Sequence, residues 1–273
     1  MKTLLRKRPL LFDILAGVGL FLFLRSTVSG QTADSGSSPP SLLRIGVAGL
    51  HYQVKDQLVA PLRWDGLGFG LRFSYLAMST AMEQEIDMLI PVSFLSNRYD
   101  HTAYAFEVSL GYSRLYVIYP SALGGNLYLG GEVRWNAHCE FYADWDDSHL
   151  YWLNVYDLAA AVQWSKDDDN GNHISIKMQI PLFAFISRPP EHQYIDQAPL
   201  QRPAYYFDAL HQNMHMTSVH EYVSFGLKAD YRLRVGKSTI LGATWSFQYT
   251  TCKSPQTIGI ISNILTFDYH IIL

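Results

Sequence analysis

The stretch that decides the fold is Leu127 to Asp144, LYLGGEVRWNAHCEFYAD. Leu127, Leu129, Val133, Trp135, Ala137, Cys139 and Phe141 fall on one side of a two-residue repeat. Tyr128, Glu132, Arg134, Asn136, His138, Glu140 and Tyr142 fall on the other. A helix would place apolar residues three and four apart, so strict alternation over this length predicts a strand. The same period runs through Leu67 to Tyr75, where Leu67, Phe69, Leu71, Phe73 and Tyr75 alternate with Gly68, Gly70, Arg72 and Ser74. It returns in Tyr104 to Tyr112.

Extended along the chain, the alternation predicts about ten strands, with eight to twelve as the range, near 42–53, 66–78, 82–96, 103–119, 127–143, 151–165, 173–187, 218–234, 238–251 and 260–273. Many are longer than the roughly 5–6 residues of an ordinary strand. They suit the roughly 9–11 residues that a tilted strand needs to cross a bilayer. Composition agrees. Of the 273 residues 14% are aromatic and only 16% charged, against about 25% charged in a soluble domain. That balance excludes disorder. A net charge of −3 gives nucleic-acid binding no footprint.

Long alternating strands build either a soluble barrel with its apolar face inward or a membrane barrel with that face outward. The polar face decides between them. It carries Arg44, Arg72, Glu85, Asp87, Glu107, Glu132, Arg134, Glu140, Asp157, Lys177, Lys228, Asp230, Arg232 and Asp268, interspersed with Gly68, Gly70, Gly111, Gly130, Gly226 and Gly242. Glycines among charges suit a narrow lumen where side chains crowd. The other face is Leu, Ile, Val and Phe, with Tyr104, Tyr112, Trp152, Trp164, Trp245, Tyr249 and Tyr269 toward the strand ends, as in an aromatic girdle. Loop lengths give a second criterion. With both termini periplasmic, connections after even-numbered strands must be short, and 79–81, 120–126, 166–172 and 235–237 are. The longest connection, Arg188 to Thr217, follows the seventh strand.

The N-terminus reads as an export signal over 1–30. Lys2, Arg6, Lys7 and Arg8 precede an apolar run from Leu10 to Leu24, and Val28-Ser29-Gly30 supplies small residues for cleavage. Residues 31–41 read as a flexible Ser/Gly/Pro-rich leader, and 42–273 as the barrel. Cys139 and Cys252 are too few for a disulfide framework and read as two separate thiols.

On the export signal, the alternation and the terminal segment Leu265-Thr266-Phe267-Asp268-Tyr269-His270-Ile271-Ile272-Leu273, residues 42–273 resemble the small outer-membrane β-barrel proteins of Gram-negative bacteria. That terminal segment is similar to the signal read by the barrel-assembly machinery, with Leu in place of the usual final aromatic. The resemblance implies an all-β, single antiparallel transmembrane barrel, contact with outer-membrane lipid, and insertion by that machinery. It implies no activity.

Chemical motifs are sparse. His173-Ile174-Ser175 resembles the His-x-Ser of outer-membrane phospholipase A, but Ile176-Lys177 follow it, and it reads as a polar pair beside a turn. Asp167-Asp168-Asp169-Asn170-Gly171-Asn172 opens like a calcium loop, yet the twelfth position is Met178, so a hairpin turn is expected. His211, His215 and His220 match no tight metal spacing. No cofactor and no metal site is expected.

On the lumen face, six positives against eight negatives predict ion pairs that fill the interior, drawn chiefly from Arg72, Glu107, Glu132, Arg134, Glu140, Lys228, Asp230 and Arg232. The long loop carries Tyr194, Tyr205, Tyr206, Phe207, Met214 and Met216, a composition suited to contact surfaces. The expected function is therefore non-catalytic: a structural or accessory subunit of a larger outer-membrane protein complex. The alternatives are a lipid hydrolase using His173 and Ser175, and a narrow channel.

Overall fold

The computed structural model describes residues 41–59, 61–142, 144, 149–189, 210, 211, 213–236 and 239–273. The export signal, the leader up to residue 40, and Tyr194, Tyr205, Tyr206 and Phe207 lie outside the described residues.

The strands are β1 (Ser41–Asp56), β2 (Trp64–Met78), β3 (Met82–Asn97), β4 (Thr102–Ala122), β5 (Gly125–Tyr142), β6 (His149–Asp167), β7 (His173–Ser187), β8 (His215–Ser218), β9 (Tyr222–Arg234), β10 (Thr239–Cys252) and β11 (Ile258–Ile272). All pairings are antiparallel. Neighbours in sequence pair in turn, except that β9 pairs with β7 and not with β8; β1 pairs with β11, so ten strands close into a barrel, with β8 outside the ring. The short β8 lies beside the upper part of β7. Ser41 is part of β1, so the wall begins one residue before the expected start at Leu42.

The faces are inverted relative to a soluble protein. On β2, Leu67, Phe69 and Leu71 are 69%, 63% and 51% exposed, whereas Arg72 and Ser74 are each 3% exposed. Ile45, Val47, Phe106, Leu129, Val133, Ile176, Leu265 and Phe267 are likewise exposed, while Arg44, Arg134, Lys177, Asp230 and Asp268 are buried. This is the arrangement that a lipid solvent stabilises, because backbone groups pair around the ring and only apolar side chains face outward. Of the expected girdle, Tyr104, Trp245, Tyr249 and Tyr269 are exposed, whereas Trp152 is covered.

Irregularities sit where the backbone requires them. The β3–β4 ladder passes from Leu89↔Ser109 to Val92↔Phe106, so Pro91, which has no N–H, stands where pairing is interrupted. β7 shifts register between Leu158 and Ala159 of its neighbour, opposite Pro181, and Leu182 is turned outward. Above that point β7 leaves β9 and pairs with β8 instead. The strand expected over 218–234 is therefore two pieces, with Ser218 in β8 and β9 beginning at Tyr222.

Short connections lie at the end that holds Ser41 and Leu273, and Leu273 donates its N–H to the Ser41 carbonyl. The β4–β5 connection is only Leu123 and Gly124, both with positive φ, because bulges prolong the hairpin past the expected turn.

Candidate functional site

The lumen is where the polar groups converge, in the middle of the barrel, with an apolar cluster above them. The middle layer is a lattice of ion pairs. Glu85 on β3 is its hub: it lies 2.8 Å from Lys228 on β9, 3.5 Å from Arg44 on β1, 3.5 Å from Arg72 on β2 and 3.8 Å from Lys177 on β7. Arg72 also grips Asp87 through two bonds, Nε to Oδ1 at 2.8 Å and Nη2 to Oδ2 at 2.9 Å. Its Nη1 donates to the Thr244 hydroxyl at 2.8 Å and reaches Asp268 at 3.5 Å. Lys177 holds Glu132 at 2.6 Å, Arg232 holds Asp230 at 3.0 Å, and Arg134 clamps Asp157 through bonds of 2.9 and 2.8 Å. Two-point guanidinium–carboxylate bonds are the strong, directional kind. Several of these pairs cross the lumen, so the lattice ties opposite walls together.

Alternation explains why these residues meet. Each stands on the inward face of its strand, and a ten-stranded ring brings inward side chains from opposite walls within reach. Glycines give them room. A Cβ at Gly242 would fall 2.3 Å from His270 Nε2, and one at Gly226 would fall 2.7 Å from the Gln179 side chain.

Above the lattice, toward the long connections, the lumen is apolar. Tyr52, Val54, Trp64, Leu95, Tyr142, Tyr151, Leu153, Ile186 and Ile258 form one buried cluster, and Leu58 and Val59 of the β1–β2 connection tuck into it. Trp64 meets Tyr142 edge-on at 4.9 Å, as Tyr142 meets Tyr151 at 5.6 Å. At the top, Arg188 donates to both oxygens of Asp56 at 2.9 and 2.8 Å. Between the two layers His138 links Glu140, at 2.7 Å, to the Tyr52 hydroxyl, at 3.0 Å, and Tyr142 donates to Glu140. The interior holds a cavity of about 110 Å³ in the lattice and one of about 30 Å³ beside His138.

The structure places the expected lumen residues as follows. Arg72, Glu132, Arg134, Lys228, Asp230 and Arg232 are in the lattice. Glu140 instead pairs with His138 in the layer above. Glu107 lines both cavities and forms no ion pair among the described residues. Glu85 is the residue that reasoning by strand leaves unranked, because periodicity shows which face a residue takes but not how many partners it meets there.

His173 stands at the short-connection end. Its Nδ1 is 2.8 Å from Asp167 Oδ1, and its Nε2 is buried with no hydrogen-bond partner, so the imidazole does not engage the Ser175 hydroxyl. The acidic segment beside it is a turn. Asp168 Oδ1 accepts the N–H of Asn170 at 2.9 Å and of Asn172 at 2.8 Å, and Gly171 takes a φ of +78°. Those bonds, chiefly from Asn172, hold the Asp168 carboxyl below the ordinary carboxylate range. Cys139 and Cys252 are free, on opposite faces of the wall.

Of the expected contact loop, Met216 lies on β8, faces outward opposite Phe185 and is exposed, while Met214 is half-buried just before it. Leu210 and His211 lie against the outside of the wall: the Leu210 carbonyl accepts from Asn154 Nδ2 at 2.7 Å, and His211 Nε2 is 2.7 Å from the Tyr156 hydroxyl.

No protein-family model matches the sequence, and no curated protein matches it. Among solved structures, the chain is similar to the outer membrane protease OmpT from Escherichia coli, with 8% identity over 89% of this chain and 99% of that one and a TM-score of 0.50. Other matches are the translocator domain of the autotransporter NalP from Neisseria meningitidis (10% identity, 94% and 97% covered, TM-score 0.36) and the attachment invasion locus protein Ail of Yersinia pestis (9%, 86% and 100%, TM-score 0.31). The likeness is one of fold, that of a small Gram-negative outer-membrane β-barrel.

Proposed function

We propose that the protein is a sealed, non-catalytic barrel of the outer membrane, exported by its N-terminal signal, that serves as an accessory subunit of a larger outer-membrane assembly. One observation carries this reading: the interior is filled by its own side chains. An ion lattice occupies the middle and a Tyr/Trp-rich plug occupies the end with the long connections. A barrel filled in this way presents its outer wall and loops to other molecules, rather than its lumen.

Asn154 and Tyr156 support the contact role of the long loop. They stand on the outer face of β6 and receive Leu210 and His211, which brings the end of that loop to the outside of the barrel. Leu58 and Val59 of the β1–β2 connection join the apolar cluster at the same end of the lumen. The test is purification from native membranes in mild detergent, comparing the full chain with a variant lacking residues 193–209. A partner that co-purifies with the full chain and is lost from the folded variant supports the role. Identical co-purification from both, or none from either, removes it.

A further inference from the structure

The outer face of β1, β2 and β3 is ordered in rows by the sheet register. His51, Leu67, Phe94, Tyr104 and Phe141 are successive ladder partners across β1 to β5. Phe94 meets Tyr104 edge-on at 5.8 Å and lies 6.2 Å from Phe69, which makes an aromatic belt. One step toward the long connections, Gln53, Asp65, Ser96 and Thr102 form the next row. One step further stand Lys55, Arg63 and Arg98, all exposed.

These three cations open on one groove of about 540 Å³, lined also by Pro61, Leu62, Asp65, Ser96 and Asn97. Among the described residues none of the three makes an ion pair, and Asp65 is the single carboxylate on the groove. Arg98 lies 4.6 Å from the Tyr99 ring and donates to its hydroxyl at 2.6 Å, which holds the guanidinium in place. Asn97 is 6% exposed, and its Oδ1 accepts the N–H of Tyr99 at 2.8 Å. Three cations on one groove, with no ion pair among the described residues, call for an acceptor that carries negative charge.

We propose that this groove binds the phosphate of an anionic lipid headgroup. The cations lie just beyond an apolar, aromatic belt, at the height where a headgroup meets its acyl chains, and Leu67, Phe69 and Phe94 give those chains a surface. Arg63 and Arg98 offer forked donors that match phosphate oxygens, and Lys55 adds a point charge. The inference rests on insertion in a membrane and not on the accessory role, so either can fail alone.

The test uses the mature chain in nanodiscs of phosphatidylcholine doped with phosphatidic acid. Native mass spectrometry reads the anionic lipid retained on release. The wild type should retain phosphatidic acid over phosphatidylcholine. The Lys55→Gln/Arg63→Gln/Arg98→Gln variant should retain it roughly a hundredfold more weakly, since each cation near a charged surface contributes a factor of about five. Asp65→Asn should retain it more strongly. Lys253→Gln, which neutralises a cation at the same end outside the groove, should match the wild type. Each variant is first shown to be folded by its heat-shifted gel mobility. If one of the triple fails to fold, the three single variants replace it, each with about a fivefold loss. Equal retention by triple variant and wild type overturns the site. An equal loss in Lys253→Gln overturns it in favour of diffuse charge. Full displacement by inorganic phosphate alone overturns the lipid as its occupant.

Discussion

Glu85 shows at the scale of one residue why the lumen is stable as built. Four cations lie within 4 Å of it, on β1, β2, β7 and β9. A buried carboxylate is costly to desolvate, and it persists only where partners repay that cost. Removing it leaves Lys228, Lys177 and Arg44 with one carboxylate each, Asp87, Glu132 and Asp230, and unbalances the buried charge of the lattice. Glu85→Ala should therefore destabilise the barrel by about 3–5 kcal/mol, read from urea unfolding in lipid vesicles. Adding Lys228→Met should recover part of the loss; strict additivity of the two would show that they do not interact. On the other face, Phe73 is exposed and Ser74 beside it is buried. Phe73→Arg should cost about 2–4 kcal/mol if it sits near the bilayer midplane. No loss in the same unfolding measurement would show that Phe73 does not meet lipid.

Among the elements, the β4–β5 hairpin carries the clearest local strain. Leu123 has a φ of +51° and Gly124 a φ of +75°. A two-residue hairpin turn with both φ positive is the kind that favours Asn-Gly, whereas Leu in this region costs roughly 1–2 kcal/mol. Leu123 is almost wholly exposed and contributes little packing in return. Leu123→Asn should raise stability by about 1 kcal/mol, visible as a higher urea midpoint with unchanged slope. The β6–β7 turn works in the opposite sense, because Asp168 already caps its amides. A carboxyl whose folded pKa is depressed contributes above the ordinary carboxylate range and loses that contribution as pH falls through the lowered value.

Over the whole molecule, two packed layers stand in series: the apolar cluster that includes Leu58 and Val59, and the ion lattice beneath it. Opening one leaves the other. Leu58→Ser with Val59→Ser should stay silent in planar bilayers, as should the wild type. Conductance should appear only when Arg72→Ala, Glu85→Ala and Lys228→Ala are added to a barrel that still folds. Steady current through the wild type would overturn the sealed reading.

Much of this molecule was legible before any coordinate. The period of two that sets Glu132 against Val133 is local, and it determines strand and face together because side chains must alternate along a pleat. The inverted faces followed from the kind of polar residue on the inner side, and the ring of short and long connections from their lengths. What only the tertiary structure decided depends on which walls come to face each other. Glu85 becomes a hub because four different strands point at it. Glu140 turns to His138, and Glu107 meets a cavity. Pro181 and the shift beside it divide the strand expected over 218–234, since a bulge answers to the register of its neighbours. The row of Lys55, Arg63 and Arg98 is likewise invisible in the sequence, where the three residues are scattered. Pairing of β1, β2 and β3 sets them side by side, because register is a relation between strands and no single strand carries it.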